Sequence, residues 1–183
     1  MSIQGRIALS TESVYYFSLR VHKKTPIFIS ERYFHILTSA LEHIQKTPGG
    51  LLLGYVIVAH EIHAIFSIPR AHSDIHEIVH QFRLETKKNI VGLLEKENRN
   101  DLLHIFRYTH FRIRRKTPKV WENSYSSSMI KTEKMFMKTL HTIHDIPVKM
   151  GLVAKSEHWR FSSARNYLLN DHTVLPVDTQ FIG

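Results

Sequence analysis

The spacing of apolar residues divides the first third of the chain into a strand, a helix and a strand pair. Residues 13–21 alternate polar with apolar or aromatic side chains, as a strand with one buried face does. Apolar residues then recur at helical spacing after Ser30, a candidate N-cap, and the "TPGG" at 47–50 ends that helix. The apolar run at 51–69 predicts two central strands, which end at Pro69.

The same spacing predicts two more helices and one more strand. A long helix begins after Ser73 or Asp74, and the charged segment 95–101 ends it. A strand is predicted over 119–130, and Thr132 caps a last helix that stops before Pro147.

The order of these elements indicates one α+β domain over residues 1–183. Strand, helix, two strands, helix, strand and helix follow one another without a linker or an internal repeat. This order is typical of a ferredoxin-like or RRM-like sandwich, in which helices pack on a central antiparallel sheet. The residues after Pro147 are expected to form turns and short elements on the body of that domain.

Composition narrows the class of protein. Of the 183 residues 43% are hydrophobic, which is typical of a globular domain and too many for a disordered chain. The chain has no cysteine, which excludes disulfides, thiolate zinc sites and cysteine nucleophiles. No apolar run approaches the ~20 residues that span a bilayer, and the first residues do not form a secretory signal. We therefore expect a cytoplasmic protein that does not contact membranes.

Net charge points to a polyanionic partner. The 25 Lys and Arg residues against 16 Asp and Glu give a net charge of +9, which favours nucleic acid. The segment "RYTHFRIRRKTPK" interleaves arginines with aromatic residues, a combination that suits phosphates and unpaired bases, although a solvated loop has the same composition. The candidate DNA-binding residues are Arg83, Lys87, Lys88, Arg112, Arg114, Arg115 and Lys116.

The segment "YVIVAHEIHAIF" carries the most specific polar cluster of the chain. His60, Glu61 and His63 lie at the junction of the two central strands. The cluster is consistent with a metal site, with the remains of one, or with a polar hairpin without an ion.

Four segments together resemble one family. "YVIVAHEIHAIF" resembles the pattern "YVIMPNHVHLLV", and "EHWRFSSARNYL" resembles "EDWPWSSARNYL". "HQFRLETKKNI" is similar to "FKRFTSRKI", and "VWENSYSSSMIKTEKMFMKTLHTIHDIPVKMGLV" to a segment with "VWQ" and "EYIHNNPVRAGLV". These are patterns of the REP-associated tyrosine transposases, small single-strand transposases of the HUH nuclease superfamily. The resemblance extends from about residue 15 to about residue 178.

The resemblance implies a defined chemistry. In HUH enzymes two histidines, separated by one apolar residue on a strand, hold a divalent cation that polarises the scissile phosphate. A helix supplies a third polar ligand and the tyrosine that attacks single-stranded DNA to form a phosphotyrosyl link.

This chain departs from the family pattern at the positions that carry that chemistry. His63 matches the second histidine, but Glu61 stands in place of the first, and His60 is one position out of register. Thr142 aligns with the nucleophilic tyrosine and Ile146 with the helix asparagine. Tyr125 and Tyr167 are other tyrosines in the same half of the chain. The pair Glu61 and His63 could still bind Mg²⁺ or Mn²⁺ weakly, but Ile146 has no ligand atom, so we expect weak or no metal binding.

We therefore expect a transposase-like protein that binds structured, hairpin-forming single-stranded DNA and has lost catalysis. One alternative is an active metal-dependent strand transferase with a displaced tyrosine; another is an interaction protein that kept only the fold. Without a nucleophile helix to exchange between subunits, a monomer or a weak homodimer is expected.

Overall fold

The computed structural model describes residues 12–46, 50–69, 74–108 and 113–180. Four strands form its sheet: β1 (Glu12–Arg20), β2 (Leu51–Val58), β3 (Glu61–Pro69) and β4 (Ser126–Ile130). Six α-helices occur in the described residues: α1 (Glu31–Gln45), α2 (Ile75–Lys96), α3 (Asn100–Arg107), α4 (Glu133–His144), α5 (Ile146–Lys149) and α6 (Ala164–Leu169). Short 3₁₀ helices lie at His22–Lys24 and Ser156–His158.

The sheet is antiparallel throughout, with the strand order β2–β3–β1–β4. β2 and β3 form a hairpin, and β1 pairs with β3 on one side and with β4 on the other. With α1 after β1 and α2 after β3, this is the ferredoxin-like arrangement that the order of the elements predicts. The α+β fold class is thereby confirmed.

One face of the sheet is covered by α1, α2 and α3. Alternate strand residues such as Phe17, Leu19 and Phe66 point to this face and pack against buried helix residues such as Leu37 and Phe82. Because side chains alternate across a strand, the intervening residues belong to the opposite face.

The opposite face is covered by α4. Val56 and Ile65 lie beneath Leu140 and Ile143 in a second buried cluster. The helix approaches the sheet closely at Gly54, where an added Cβ would lie 2.6 Å from Leu140 Cδ1. A glycine at this position of β2 therefore allows α4 to pack directly over the region beside His63.

The tail after α5 packs against β2, as expected. The backbone N–H of Ile57 donates to the carbonyl of Phe161, and Trp159 Nε1 donates to the carbonyl of Ile57 at 2.8 Å. Tyr167 donates its hydroxyl to the carbonyl of Leu53 at 2.6 Å. These bonds use polar groups along the edge strand that would otherwise be unpaired.

Two predicted helix starts are confirmed by the side-chain hydrogen bonds that cap them. The carboxylate of Asp74 accepts from His76 N, and the hydroxyl of Thr132 accepts from Met135 N. Ser30 occupies the N-cap position of α1, but its side chain makes no capping hydrogen bond. Ser73, the alternative start of α2, lies outside the described residues.

The sequence analysis did not predict α3, and one of its strands is shorter than predicted. α2 ends at Lys96, within the charged segment 95–101 as expected, but Asn98 then adopts a left-handed conformation (φ 56°) and the chain enters α3 almost at once. The strand predicted over 119–130 is formed only from Ser126 onwards. Before it, Trp121 makes a single bridge to Val21 and turns its indole N–H to Thr86 Oγ1 on α2.

No helix in the described parts of the chain combines the length and apolar character needed to cross a membrane.

Candidate active site and nucleic-acid interface

A cavity of about 420 Å³ lies between the sheet and α4. β1 contributes Tyr16 and β3 contributes His63, which share a sheet face because each alternates with residues of the opposite core. The helical side contributes Thr142 of α4 and Ile146 of α5. Three positions that the sequence comparison aligns with catalytic residues, His63, Thr142 and Ile146, thus line one cavity. Ser128, Met135, Lys138, Thr139 and Ile143 complete its wall.

His63 contacts a different partner through each ring nitrogen. Nδ1 lies 2.8 Å from the hydroxyl of Tyr16. Nε2 lies 3.3 Å from Glu61 Oε1 but has no aligned hydrogen-bond partner, so this second contact is electrostatic. Burial raises the pKa of Tyr16, so its phenol stays protonated at neutral pH and is able to donate to Nδ1.

Glu61 lies among cationic and imidazole groups. Its Oε2 lies 3.2 Å from Arg20 Nε, directly across the β1–β3 pair, and 4.0 Å from His60 Nε2. Contact with His63, assisted by Arg20, lowers the pKa of the Glu61 carboxyl to about 2. His60 lies in the turn before β3 rather than on a strand, which is how it comes near Glu61 despite its register.

A basic cleft of about 590 Å³ lies on the other side of the molecule, between α2 and the segment that leads to β4. Arg83 and Lys87 of α2 line it together with Arg115 and Lys116, so two segments about thirty positions apart in sequence meet. His80, Lys119 and Trp121 also contribute to the wall. We call this surface the basic cleft.

Backbone groups hold the two arginines of the basic cleft. Arg83 donates to the carbonyl of Glu122 at 2.7 Å, and Arg115 donates to the carbonyl of Tyr108. Neither guanidinium pairs with a carboxylate among the described residues. Both side chains are therefore held in place while their positive charge is not neutralised by an acidic side chain. Such an arrangement favours an anionic ligand.

The other candidate DNA-binding residues lie elsewhere. Lys88 lines a neighbouring groove between α1 and α2. Arg114 is exposed and forms a backbone bridge to Tyr108, without lining the basic cleft. Arg112 lies outside the described residues.

Comparison with known proteins gives a match only at the level of structure. No family model matches the sequence, and no curated protein matches it. A solved structure of a REP-associated tyrosine transposase bound to a REP hairpin superposes with a TM-score of 0.62 over 97% of this chain and 87% of the other, at 16% identity. This chain has the fold of a REP-associated tyrosine transposase. A candidate transposase from Deinococcus radiodurans R1 is more distant, with a TM-score of 0.49, 12% identity, and coverage of 73% of this chain and 90% of the other.

The side chains at this site do not fit the divalent cation that the sequence resemblance implies. Among the residues that the structure describes, no group of three or more His, Asp or Glu side chains is arranged to hold a metal ion. Ile146, which the resemblance aligns with the third ligand, has no ligand atom, and the Arg20 guanidinium already lies against Glu61 Oε2. The positive charge of Arg20 therefore balances the negative charge of the Glu61 carboxylate.

Thr142, the position that the sequence resemblance aligns with the nucleophilic tyrosine, has its hydroxyl engaged within α4. Thr142 is exposed on α4, and its hydroxyl donates to the carbonyl of Lys138 at 2.7 Å. This local bond is common for threonine within a helix and directs the hydroxyl back along α4. A threonine hydroxyl also has a much higher pKa than a phenol, so the alkoxide that it forms is a poorer leaving group than the phenolate of a tyrosine.

Neither tyrosine singled out in the sequence reaches the cavity. Tyr125 forms a hydrogen bond with His76 Nδ1 and lies beneath Arg83, with 5.9 Å between the guanidinium carbon and the ring centre. Tyr167 is bound to the edge of β2, and burial raises its pKa. The tyrosine beside His63 is Tyr16, which the sequence analysis missed. Strand alternation gives its face, but the sequence does not show that β1 pairs with β3.

Proposed function

We propose that this protein binds structured single-stranded DNA, a hairpin with unpaired flanks, without cutting it. The observation that carries the proposal is the basic cleft, in which Arg83, Lys87, Arg115 and Lys116 meet and none of the four pairs with a carboxylate among the described residues. Lys119 in the same wall is paired with Glu122 at 3.2 Å. Guanidinium groups fixed by backbone carbonyls are suited to phosphate contacts. The fold of a transposase solved with a hairpin makes a hairpin the first ligand to test.

The segment that lines the basic cleft continues along the chain to the sheet beside Glu61. Asn123 lines the cleft, and the residues that follow it reach a small hollow of about 150 Å³ beside Glu61 and Arg20. Arg83 bonds to this connecting segment through the carbonyl of Glu122. A strand bound in the cleft would therefore be led towards the hollow beside Glu61, where the Arg20 guanidinium already pairs with that carboxylate.

The binding experiment compares a flanked hairpin, an unstructured strand and a duplex by fluorescence anisotropy across salt concentrations. For the hairpin, log affinity should fall linearly with log salt, because phosphate contacts release counterions. K87A/K116A should weaken binding and lower the magnitude of the salt slope by about 1 to 2.

The matched control removes the same charge from the other side of the sheet. K131A/K134A changes two lysines next to and within α4, away from the basic cleft, and should leave the slope near that of the wild type. Two results would contradict the proposal: equal, weak binding to all three DNAs, or equal effects of the two double variants on affinity and salt slope. Either would mean that the cleft attracts DNA only through nonspecific charge.

A second candidate function is strand transfer with Tyr16 as a displaced nucleophile. The distance of 2.8 Å between its hydroxyl and His63 Nδ1 supports it, since the imidazole could accept the phenolic proton. In that reaction the Tyr16 oxygen would bond to phosphorus as the P–O3′ bond breaks, and the departing 3′ oxygen would take a proton. The raised pKa of Tyr16 and the absence of a fitting cation site in the described residues argue against it.

Incubation of the protein with end-labelled hairpins, with and without Mn²⁺, separates the two functions. Non-cutting binding predicts no covalent adduct on a denaturing gel. An adduct that forms with the wild type and is lost in Y16F would establish the second function.

A further inference from the structure

The groove between α1 and α2 is an open, mostly apolar cavity of about 900 Å³, within the range of small-ligand pockets. Ile36 of α1 faces Val91 and Leu93 of α2 across it, and Pro118 closes one end. Gly92 lies in its wall, and a Cβ added there would meet nothing within 4 Å. The missing side chain at this position helps to keep the groove open.

The rim of the groove carries positive charge that the protein itself does not compensate. Lys87, Lys88 and Lys96 line it, and none of them pairs with a carboxylate among the described residues. The acidic residue of the rim, Glu95, is paired with Arg107, while Arg32 is paired with Glu97 at 2.9 Å. An occupant should therefore combine an apolar part with negative charge at its edge.

The groove is continuous with the basic cleft, since Lys87 and Pro118 line both. A strand whose phosphates lie in the basic cleft would thus bring its next nucleotide to the mouth of the groove. Ile36, Leu93 and Pro118 offer apolar contact to the faces of a base, and Ser39 and Asn89 offer hydrogen bonds to its edge.

We propose that this groove receives an unpaired nucleobase of the bound DNA. The inference rests on the proposed function, because the phosphates in the basic cleft deliver the base. Through this base the protein would recognise the unpaired flank of the hairpin as well as its phosphate backbone.

The test compares two hairpins that differ only in their flanks. One carries a short single-stranded flank on each side, and in the other the flanking nucleotides are abasic, which keeps the phosphates and removes the bases. We expect the wild type to bind the first hairpin about ten-fold more tightly, within the range measured for base stacking on proteins. G92L should abolish this preference and leave affinity for the abasic hairpin unchanged.

G92A is the matched control, because its Cβ meets no neighbour and leaves the groove open. It should retain the preference of the wild type. Equal binding of the two hairpins by the wild type, or a preference retained in G92L, would overturn the inference while leaving the basic cleft intact. No binding to either hairpin would overturn both proposals. Sedimentation of the proteins alone adds a further outcome: a dimer lost in G92L, with the base preference unchanged, would assign the groove to a second copy of the chain.

Discussion

At the scale of single residues, the charge of Glu61 beside the cavity beneath α4 is balanced by groups of the protein itself. Contact with His63 is the main cause of the low pKa of the Glu61 carboxyl, about 2, and it outweighs the effect of burial, which raises this pKa. Arg20 adds a fixed positive charge from the neighbouring strand at 3.2 Å. Glu61 is therefore paired within the sheet without a metal ion.

This interpretation predicts that metal binding can be recovered by two substitutions. E61H restores two histidines on one face of β3, and I146N adds a polar ligand where the cavity has an alkyl side chain. We expect E61H/I146N to bind Mn²⁺ at least about ten-fold more tightly than the wild type, as measured by electron paramagnetic resonance of free Mn²⁺. The single variant I146N is the control. An unchanged affinity in the double variant would show that the backbone of the site, and not only its side chains, differs from a metal site.

His144 predicts how stability depends on pH. The side chain is buried, and Nε2 lies 2.8 Å from Ser163 Oγ. Burial, together with His141, lowers its pKa to about 4, and the ring of Tyr167 packs beside it. The unfolded chain takes up this proton near pH 6.5 and the folded chain only near pH 4, so stability should fall as pH falls through this window.

The pH effect can be isolated with one variant. The wild type should lose up to about 3 kcal/mol more than H144Q between pH 7 and pH 4, because glutamine keeps a donor for Ser163 but does not titrate. Urea unfolding at a series of pH values measures the difference. H158Q replaces an exposed histidine and is the control. Its free energy of unfolding should vary with pH in parallel with that of the wild type. Parallel curves of unfolding free energy against pH for H144Q and the wild type would contradict this prediction, since they would show that folding does not lower the pKa of His144.

At the scale of secondary-structure elements, the helix caps differ in a way that stability measurements can detect. Thr132 caps α4 through its hydroxyl, whereas Ser30 at the start of α1 makes no such bond. T132A should therefore cost about 1 kcal/mol and S30A less than about 0.5 kcal/mol in the free energy of unfolding. Urea midpoints of the two variants provide the comparison. Equal losses would mean that the Ser30 hydroxyl caps α1 in solution.

Local signals in the sequence account for most of these elements. The N-caps Asp74 and Thr132 could be located because each binds a backbone N–H only two or three residues further along the chain. The helix α3 was missed because neither Gly nor Pro separates it from α2, and a single left-handed asparagine, Asn98, makes the turn.

The candidate site was less accessible to sequence reasoning because its contacts are long-range. His63, Thr142 and Ile146 could be aligned by resemblance, but the pairing of Arg20 with Glu61 depends on the β1–β3 register. The meeting of Arg83 and Lys87 with Arg115 and Lys116 depends on how the segment before β4 crosses α2. Neither relationship leaves a periodic signal in the sequence, so neither could be predicted.

At the scale of the whole molecule, the two buried clusters share one sheet. Each strand contributes alternate side chains to the core beneath α1 and α2 and to the core beneath α4, so neither core can be lost while the other keeps its strands. We therefore propose that the chain behaves as a single domain and unfolds in one cooperative transition.

The two tryptophans allow this to be measured. Trp121 packs in the core beneath α1 and α2, while Trp159 packs against both clusters. In W159F the fluorescence reports Trp121, and in W121F it reports Trp159. For each variant the fluorescence midpoint in urea should coincide with that of far-UV circular dichroism of the same protein. This internal comparison removes the stability lost through the substitution itself.

Separate midpoints would contradict the single domain and identify which face opens first. An earlier transition of Trp159 alone would mean that the tail leaves β2 while the core beneath α1 and α2 persists, since Trp159 is bound to the carbonyl of Ile57 at 2.8 Å. Coincident midpoints instead link the cavity beside His63 and the basic cleft to one folding unit, in which substitutions that destabilise either core weaken both surfaces.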